Sequence, residues 1–214
     1  MSCCQNNLYN NTFDRKRAQE ELSNYRANGP KENSLPLINM LKLLALKDVS
    51  VLDIGSGVGA VILELFDQGI SHAAYNDFST AYSEAFQEEV RRKAVGEQVA
   101  YYIGDFLEEH QKIDQADLVT LDKVICCYEN YEGLVSISVQ KAGKWYAYSA
   151  PRDVWWVRLL YFLKQKIRWV QGNPFRSYVH PTHKIEGIIS KNGFKKIHNH
   201  FSWEWQTVIF ERKN

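Results

Sequence analysis

The residues best suited to chemistry in this chain sit where short apolar runs stop. Val49-Ser50-Val51-Leu52-Asp53-Ile54 reads as a buried strand and is broken by Gly55-Ser56-Gly57-Val58-Gly59. His72 to Tyr75 ends at Asn76-Asp77, Val99 to Ile103 stops at Gly104-Asp105, and Leu118 to Leu121 stops at Asp122. Gly and Asp are good turn residues, so one such ending would say little. Four in succession point to a shared crevice, because in open sheets with helical crossovers ligands bind beyond the carboxyl ends of the strands.

The glycine loop, with Ala60 in last place, satisfies the loose dinucleotide fingerprint, and Asp77 falls near the distance expected for a ribose-binding carboxylate. A nicotinamide-dependent oxidoreductase is therefore one reading. Asp53 counts against it, since a carboxylate at the strand end would face and repel a pyrophosphate. It suits instead a cationic ligand carrying an amino group and a sulfonium. S-adenosylmethionine has both and no phosphate, and it offers a ribose to Asp77 and an adenine to the third strand end. A cofactor-binding regulator without catalysis is a third reading.

The elements that position these residues alternate. Helices are expected over 12–28 (Phe13, Ala18, Leu22, Tyr25), from Ser34-Pro36 (Leu37, Ile38, Leu41, Leu44), over 60–68, from Ser79 to about 94, and over about 129–141. Lys144 to Ser149 is a fifth strand, Pro181 to about Asn192 a helix, and 195–201 and 204–211 two closing strands. Alternation of this kind is the mark of an α/β, doubly wound parallel sheet. We expect one domain over 1–214: an N-terminal helical cap (1–46), a cofactor-binding half (47–150), an inserted aromatic-basic segment serving as a substrate lid (151–185), and a closing helix and strands (186–214).

Composition fits a folded protein. Of 214 residues 45% are hydrophobic and 24% charged, with 26 Lys+Arg against 25 Asp+Glu. That balance argues against a surface built for nucleic acid. The N-terminus does not read as a secretory signal, and no apolar run approaches the roughly 18 residues of a membrane span. The cysteines form two adjacent pairs, Cys3-Cys4 and Cys126-Cys127, which suggests a reducing cytoplasm. Their spacing is wrong for a zinc knuckle, so no metal is expected.

Val51-Leu52-Asp53-Ile54-Gly55-Ser56-Gly57-Val58-Gly59 resembles the first motif of class I S-adenosylmethionine-dependent methyltransferases. Asn76-Asp77-Phe78-Ser79 resembles their second-strand acidic motif, Gly104-Asp105-Phe106 the adenine motif, and Asp117-Leu118-Val119-Thr120-Leu121-Asp122 the fourth-strand motif. The resemblance covers about residues 12–150. It implies a Rossmann-like, seven-stranded, mostly parallel sheet with a reversed last strand. It also implies that Asp53, Gly55 and Gly57 hold the methionine end, Asp77 the ribose hydroxyls, and Asp105 with the Phe106 amide the adenine. Ser56, Gly59, Phe78 and Leu121 would complete the cofactor site. Asp122-Lys123-Val124-Ile125-Cys126-Cys127-Tyr128, Pro151-Arg152-Asp153-Val154-Trp155-Trp156 and Phe175-Arg176-Ser177-Tyr178-Val179-His180-Pro181 resemble a bacterial group of class I methyltransferases of undetermined substrate. That group is similar to magnesium-protoporphyrin O-methyltransferases in its late aromatic segment and His-Pro pair.

Methyl transfer needs donor and acceptor held in contact, and a base where the acceptor is a hydroxyl or amine. His180 is the candidate base, Tyr128 a residue to orient the acceptor, and Arg152 a partner for an acceptor carboxylate. The implied reaction is methyl transfer to a small, aromatic or amphipathic molecule. Residues 151–185 carry seven bases against Asp153 alone, together with Trp155, Trp156, Tyr161, Phe162, Trp169, Phe175 and Tyr178. Such a mixture also allows transient contact with a membrane surface, although positions 158, 164, 166 and 168 do not line one helix face.

Overall fold

Residues 50–54 have little choice but a buried strand. Val51-Leu52-Asp53-Ile54 is apolar except for Asp53, and with Ser50 it becomes β1 (Ser50–Ile54), an interior strand of the sheet. The computed structural model describes residues 14–173 and 175–213, so Cys3, Cys4 and Phe13 lie outside the described residues. In chain order the elements are α1 (Arg15–Asn28), α2 (Leu35–Leu41), β1, α3 (Ala60–Phe66), β2 (His72–Asp77), α4 (Thr80–Lys93) and β3 (Val99–Ile103). There follow α5 (Phe106–Glu109), β4 (Ala116–Asp122), α6 (Tyr131–Gln140), β5 (Ala142–Pro151), α7 (Trp155–Val170), α8 (Thr182–Lys191), β6 (Phe194–Phe201) and β7 (Trp205–Arg212).

The strands form one seven-stranded sheet in the order β3-β2-β1-β4-β5-β7-β6. β1 to β5 pair in parallel, while β7 runs antiparallel between β5 and β6. The dinucleotide-binding order 3-2-1-4-5-6 has no such inserted reversed strand. Register puts the strand ends together: Ile54 lies beside Asn76, Asp77 beside Ile103, and Asp122 beside Ser149.

Helices cover both faces. α2, α3 and α4 bury Leu37, Ile38, Leu41, Ile62, Leu65 and Phe86 against one face. α6 and α8 bury Leu134, Val135, Ile185 and Ile189 against the other. α1 packs through Ala18 and Leu22 onto Val58, Tyr82 and Ala85. Local signals set the helix starts: the Asp14 carboxylate accepts from the Arg17 amide at 2.9 Å, and the Ser79 hydroxyl from the Tyr82 amide at 3.3 Å.

Expected and observed elements agree within a few residues, apart from the short helix α5, which was not expected, and the stretch 151–180. There the sequence suggests only an irregular aromatic-basic stretch, and the structure has the sixteen-residue helix α7. Its pattern is disguised because Lys164 and Arg168 share the inward face with buried Val157 and Tyr161. Lys164 bonds Glu204 at 2.8 Å, and Arg168 bonds the Ser177 hydroxyl at 2.7 Å.

The glycine loop is fixed sterically. Gly59 has φ 74°, and a Cβ there would fall 2.1 Å from the Phe86 ring. Phe86 has no room to retreat, being fully buried and stacked on Tyr75 at 4.5 Å. Gly193, also at positive φ, has open space around it. We therefore expect Gly59→Ala to cost about 2–4 kcal/mol, from left-handed strain plus overpacking. Gly193→Ala should cost about 1–2 kcal/mol. Urea unfolding of both variants measures the gap, and equal costs would mean that Phe86 yields.

Candidate functional site

A cavity of about 400 Å³ opens at the carboxyl ends of β1, β2 and β4, floored by the glycine loop. Asp53 is its centre. The β1 strand carries this carboxylate to 1% exposure, and its Oδ1 accepts from the Thr120 hydroxyl at 2.6 Å. Oδ2 has no hydrogen-bond partner among the described residues. Burial pushes the Asp53 carboxyl up to about 7; the Thr120 hydroxyl opposes this and the Asp122 charge adds to it. An orphaned, buried acceptor beside an open cavity is the place for a cationic donor of hydrogen bonds.

The loop that faces it is laced to β2. The Gly57 amide donates to Asp77 Oδ2 at 2.8 Å, and the Tyr75 hydroxyl donates to the Gly57 carbonyl at 2.8 Å. The Ser56 hydroxyl donates to the Asp53 carbonyl at 2.7 Å. At Gly55, φ 66°, a Cβ would fall 2.5 Å from Val124. Asp77 also accepts from the Ser79 amide at 2.8 Å. Burial pushes its carboxyl up to about 6 against the pull of the Ser79 and Gly57 amides.

Of the sequence-based candidates, Asp53, Gly55, Ser56, Gly57, Asp77, Phe78 and Tyr128 line the cavity together. Gly59 sits one residue behind as the N-cap of α3, and Phe106 and Leu121 are in the core. Asp105 is buried; its Oδ1 accepts from the Leu107 amide at 3.1 Å and from the Tyr128 hydroxyl at 2.7 Å. Tyr128 therefore points its hydroxyl back at the adenine-motif carboxylate.

His180 and Arg152 are not among the cavity's lining residues. His180 lies between the rings of Tyr131 and Tyr178, 4.2 and 5.5 Å away, with Nε2 2.8 Å from the Tyr128 carbonyl. A carbonyl only accepts, so Nε2 carries a proton there and is not free to take one; burial keeps the ring's pKa below the usual value. Arg152 donates to the Ser202 and Trp203 carbonyls and lies 5.1 Å from the Phe201 ring.

A group the sequence reading did not assemble closes the other end. The Ser34 hydroxyl donates to Asp122 Oδ2 at 2.6 Å, and Ser149 donates to Asp122 Oδ1. The Lys123 ammonium lies 2.6 Å from Ser34 Oγ, 3.0 Å from Asn33 Oδ1 and 3.2 Å from Asp122. Lys123 has φ 63°, a conformation unusual for a lysine at the end of a strand. Asp122 was visible in the sequence as a strand-end acid; Asn33 and Ser34 arrive from 88 residues or more away. Phe175 and Cys127 complete this wall. Cys126 and Cys127 are not joined in a disulfide; their sulfurs lie 4.0 Å apart. Among the described residues no group of three His, Cys, Asp or Glu side chains could hold a metal ion.

Strand order, reversed β7 and a glycine loop between two strand-end carboxylates define the class I S-adenosylmethionine-dependent methyltransferase fold, and this chain has it. Among solved structures it is similar to magnesium protoporphyrin IX methyltransferase (ChlM) from Synechocystis PCC 6803. With bound SAM, that protein shares 18% identity over 98% of this chain and 96% of its own, at a TM-score of 0.69. With bound SAH it shares 19% identity over 100% and 88%, at 0.64. An O-methyltransferase family protein from Burkholderia thailandensis reaches a TM-score of 0.72 at 14% identity, over 95% of this chain and 62% of its own. No family model and no curated protein sequence matches the chain.

The Asp53 environment predicts a pH signature. An acid raised from 3.8 to about 7 contributes stability that is complete below the lower value and is lost as pH rises through the upper. Without ligand, stability should fall between pH 5 and pH 8 by at most about 1.4 kcal/mol per pH unit for this one proton. Asp53→Asn should flatten the fall above about pH 6, leaving the Asp77 part below it. Thermal melts across that range decide; parallel curves for parent and variant would show that Asp53 ionises freely.

Proposed function

We propose that the chain is a methyltransferase that uses S-adenosylmethionine and acts on a small aromatic or amphipathic acceptor. The observation that carries this reading is the orphaned Asp53 Oδ2, buried at the floor of the strand-end cavity. A dinucleotide pyrophosphate would meet that carboxylate with like charge, whereas the amino group and sulfonium of the methyl donor would satisfy it. When bound, S-adenosylmethionine supplies the electrophilic methyl group. Asp53 and the 55–57 backbone would hold its methionine end, Asp77 its ribose hydroxyls, and Phe78 and Asp105 its adenine.

The acceptor would enter on the side of Ser34, Lys123, Cys127, Tyr128 and Phe175. Apolar and aromatic walls with a lysine at one end suit a flat molecule bearing an acidic group. We assign that anchoring to Lys123 in place of Arg152. His180 becomes a positioning residue, holding the Tyr128 carbonyl and through it the hydroxyl bonded to Asp105. The protein's part in the reaction is alignment and exclusion of water. Cys126 and Cys127 as thiols outside any disulfide fit a reducing compartment such as the cytoplasm.

Calorimetric titration tests the donor. The parent should bind S-adenosylmethionine and S-adenosylhomocysteine but not NAD. Asp53→Ala should weaken the sulfonium donor by about 1.5–3 kcal/mol, or roughly ten- to 150-fold. NAD binding, or an unchanged affinity in the variant, would overturn the reading. A metabolite screen with labelled methyl donor then separates an enzyme from a binding protein. Once an acceptor is known, Lys123→Gln should raise its KM by about tenfold, a loss of 1.4 kcal/mol. Its affinity for S-adenosylhomocysteine should stay within about twofold of the parent's.

A further inference from the structure

Helix α7 is turned inside out. At 100° per residue, Val157, Tyr161, Lys164 and Arg168 fall on one side, and these face the protein. The opposite side presents Trp155, Leu159, Phe162, Leu163, Ile167 and Trp169 to solvent, with Trp155 76% and Trp169 77% exposed. The surface does not end with the helix. The Trp156 ring lies 4.6 Å from that of Trp203, itself 70% exposed in the turn between β6 and β7, and Phe201 stands beside it. Monomeric soluble proteins seldom carry an apolar face this continuous.

Charge says what covers it. On the outer side of the helix stand Arg158 and Lys166, with Lys164 and Arg168 on the inner side, and the two carboxylates paired with this segment are Asp153 and Glu204. Both carboxylates are already matched, by Arg158 and by Lys164. Lys166 rises within the apolar stripe, its ammonium 5.4 Å from the Phe162 ring centre. In a two-fold dimer built on this face, like bases would be brought together. An anionic lipid surface accepts all of these features. Indoles and leucines settle at the boundary of headgroups and acyl chains, and basic side chains reach the phosphates on flexible stems. The lone lysine within the stripe limits the helix to headgroup depth. No described helix is long and apolar enough to cross a membrane.

We propose that α7 and the β6–β7 turn form an interfacial docking surface for an anionic lipid bilayer. Its inner side is joined to the wall of the cavity: Arg168 lies 5.4 Å from the ring of Phe175, which lines it. Docking would set the acceptor end of the cavity near the lipid phase. The docking itself stands without the methyl-transfer reading.

The experiment is flotation of the full chain with vesicles. Binding is expected to phosphatidylcholine vesicles containing about a third phosphatidylglycerol, and to weaken in about 0.5 M salt. Binding to phosphatidylcholine alone should be at least about tenfold weaker. On the anionic vesicles tryptophan emission should shift to the blue. The variant Trp155→Ser/Phe162→Ser/Trp169→Ser, checked for folding by its circular dichroism, should lose vesicle binding. Arg158→Glu/Lys166→Glu leaves the apolar surface whole and should lose the anionic preference. Absence of vesicle binding by the parent would overturn the proposal, as would undiminished binding by both variants. A parent dimer in solution that the serine variant dissolves, with no flotation, would assign the face to a second copy.

Discussion

The arrangement depends on one uncomfortable carboxylate. Asp53 lies in an interior strand, packed between β2 and β4, where an aliphatic side chain would be more stable. Among the described residues only one of its oxygens is partnered, by Thr120 on the neighbouring strand. An ionised group so placed is tolerable when something positive completes it, or when it keeps its proton. The glycine loop follows from that placement. Gly55 must be small because Val124 stands where its Cβ would be, and Gly57 must expose its amide because Asp77 takes it. The loop thus passes close over Asp53 and leaves the cavity free above it.

The first four strands and their acidic ends were legible in the sequence because they are local. Each strand and the acidic residue ending it lie within a few positions of one another, and parallel pairing brings the ends together without further information. What was not legible is long-range. The bond from Ser34 to Asp122 and the reach of Lys123 to Asn33 join the second helix to the end of β4. No periodicity encodes such a meeting. The setting of His180 was hidden for the same reason. A His before a proline at a helix start looks free to face a crevice, yet two tyrosine rings and the Tyr128 carbonyl occupy it.

Helix α7 escaped notice through a different mechanism. Amphipathic periodicity identifies a helix when apolar residues face inward and charges outward. In α7 both faces carry apolar residues, and the inward one also carries Lys164 and Arg168, each held by a specific partner, Glu204 and Ser177. Bases scattered around the wheel therefore have two settings: an inner pair bonded to Glu204 and Ser177, and an outer pair, with Arg158 matched by Asp153 and Lys166 over the Phe162 ring.

The late segment is also tied to the cavity by its backbone. The Tyr178 amide donates to the Cys126 carbonyl at 2.8 Å, and His180 to that of Tyr128, so residues 175–180 clamp the turn that follows β4. That turn carries Tyr128, whose hydroxyl reaches Asp105 at the end of β3. Phe175 at the start of the clamp forms part of the cavity wall and lies against Arg168 of α7. A force on the outer face of α7 thus has a short covalent and hydrogen-bonded route to both ends of the cavity. Val157 and Tyr161 of α7 are buried, and the inner bonds of Lys164 to Glu204 and Arg168 to Ser177 add to this hold on the body.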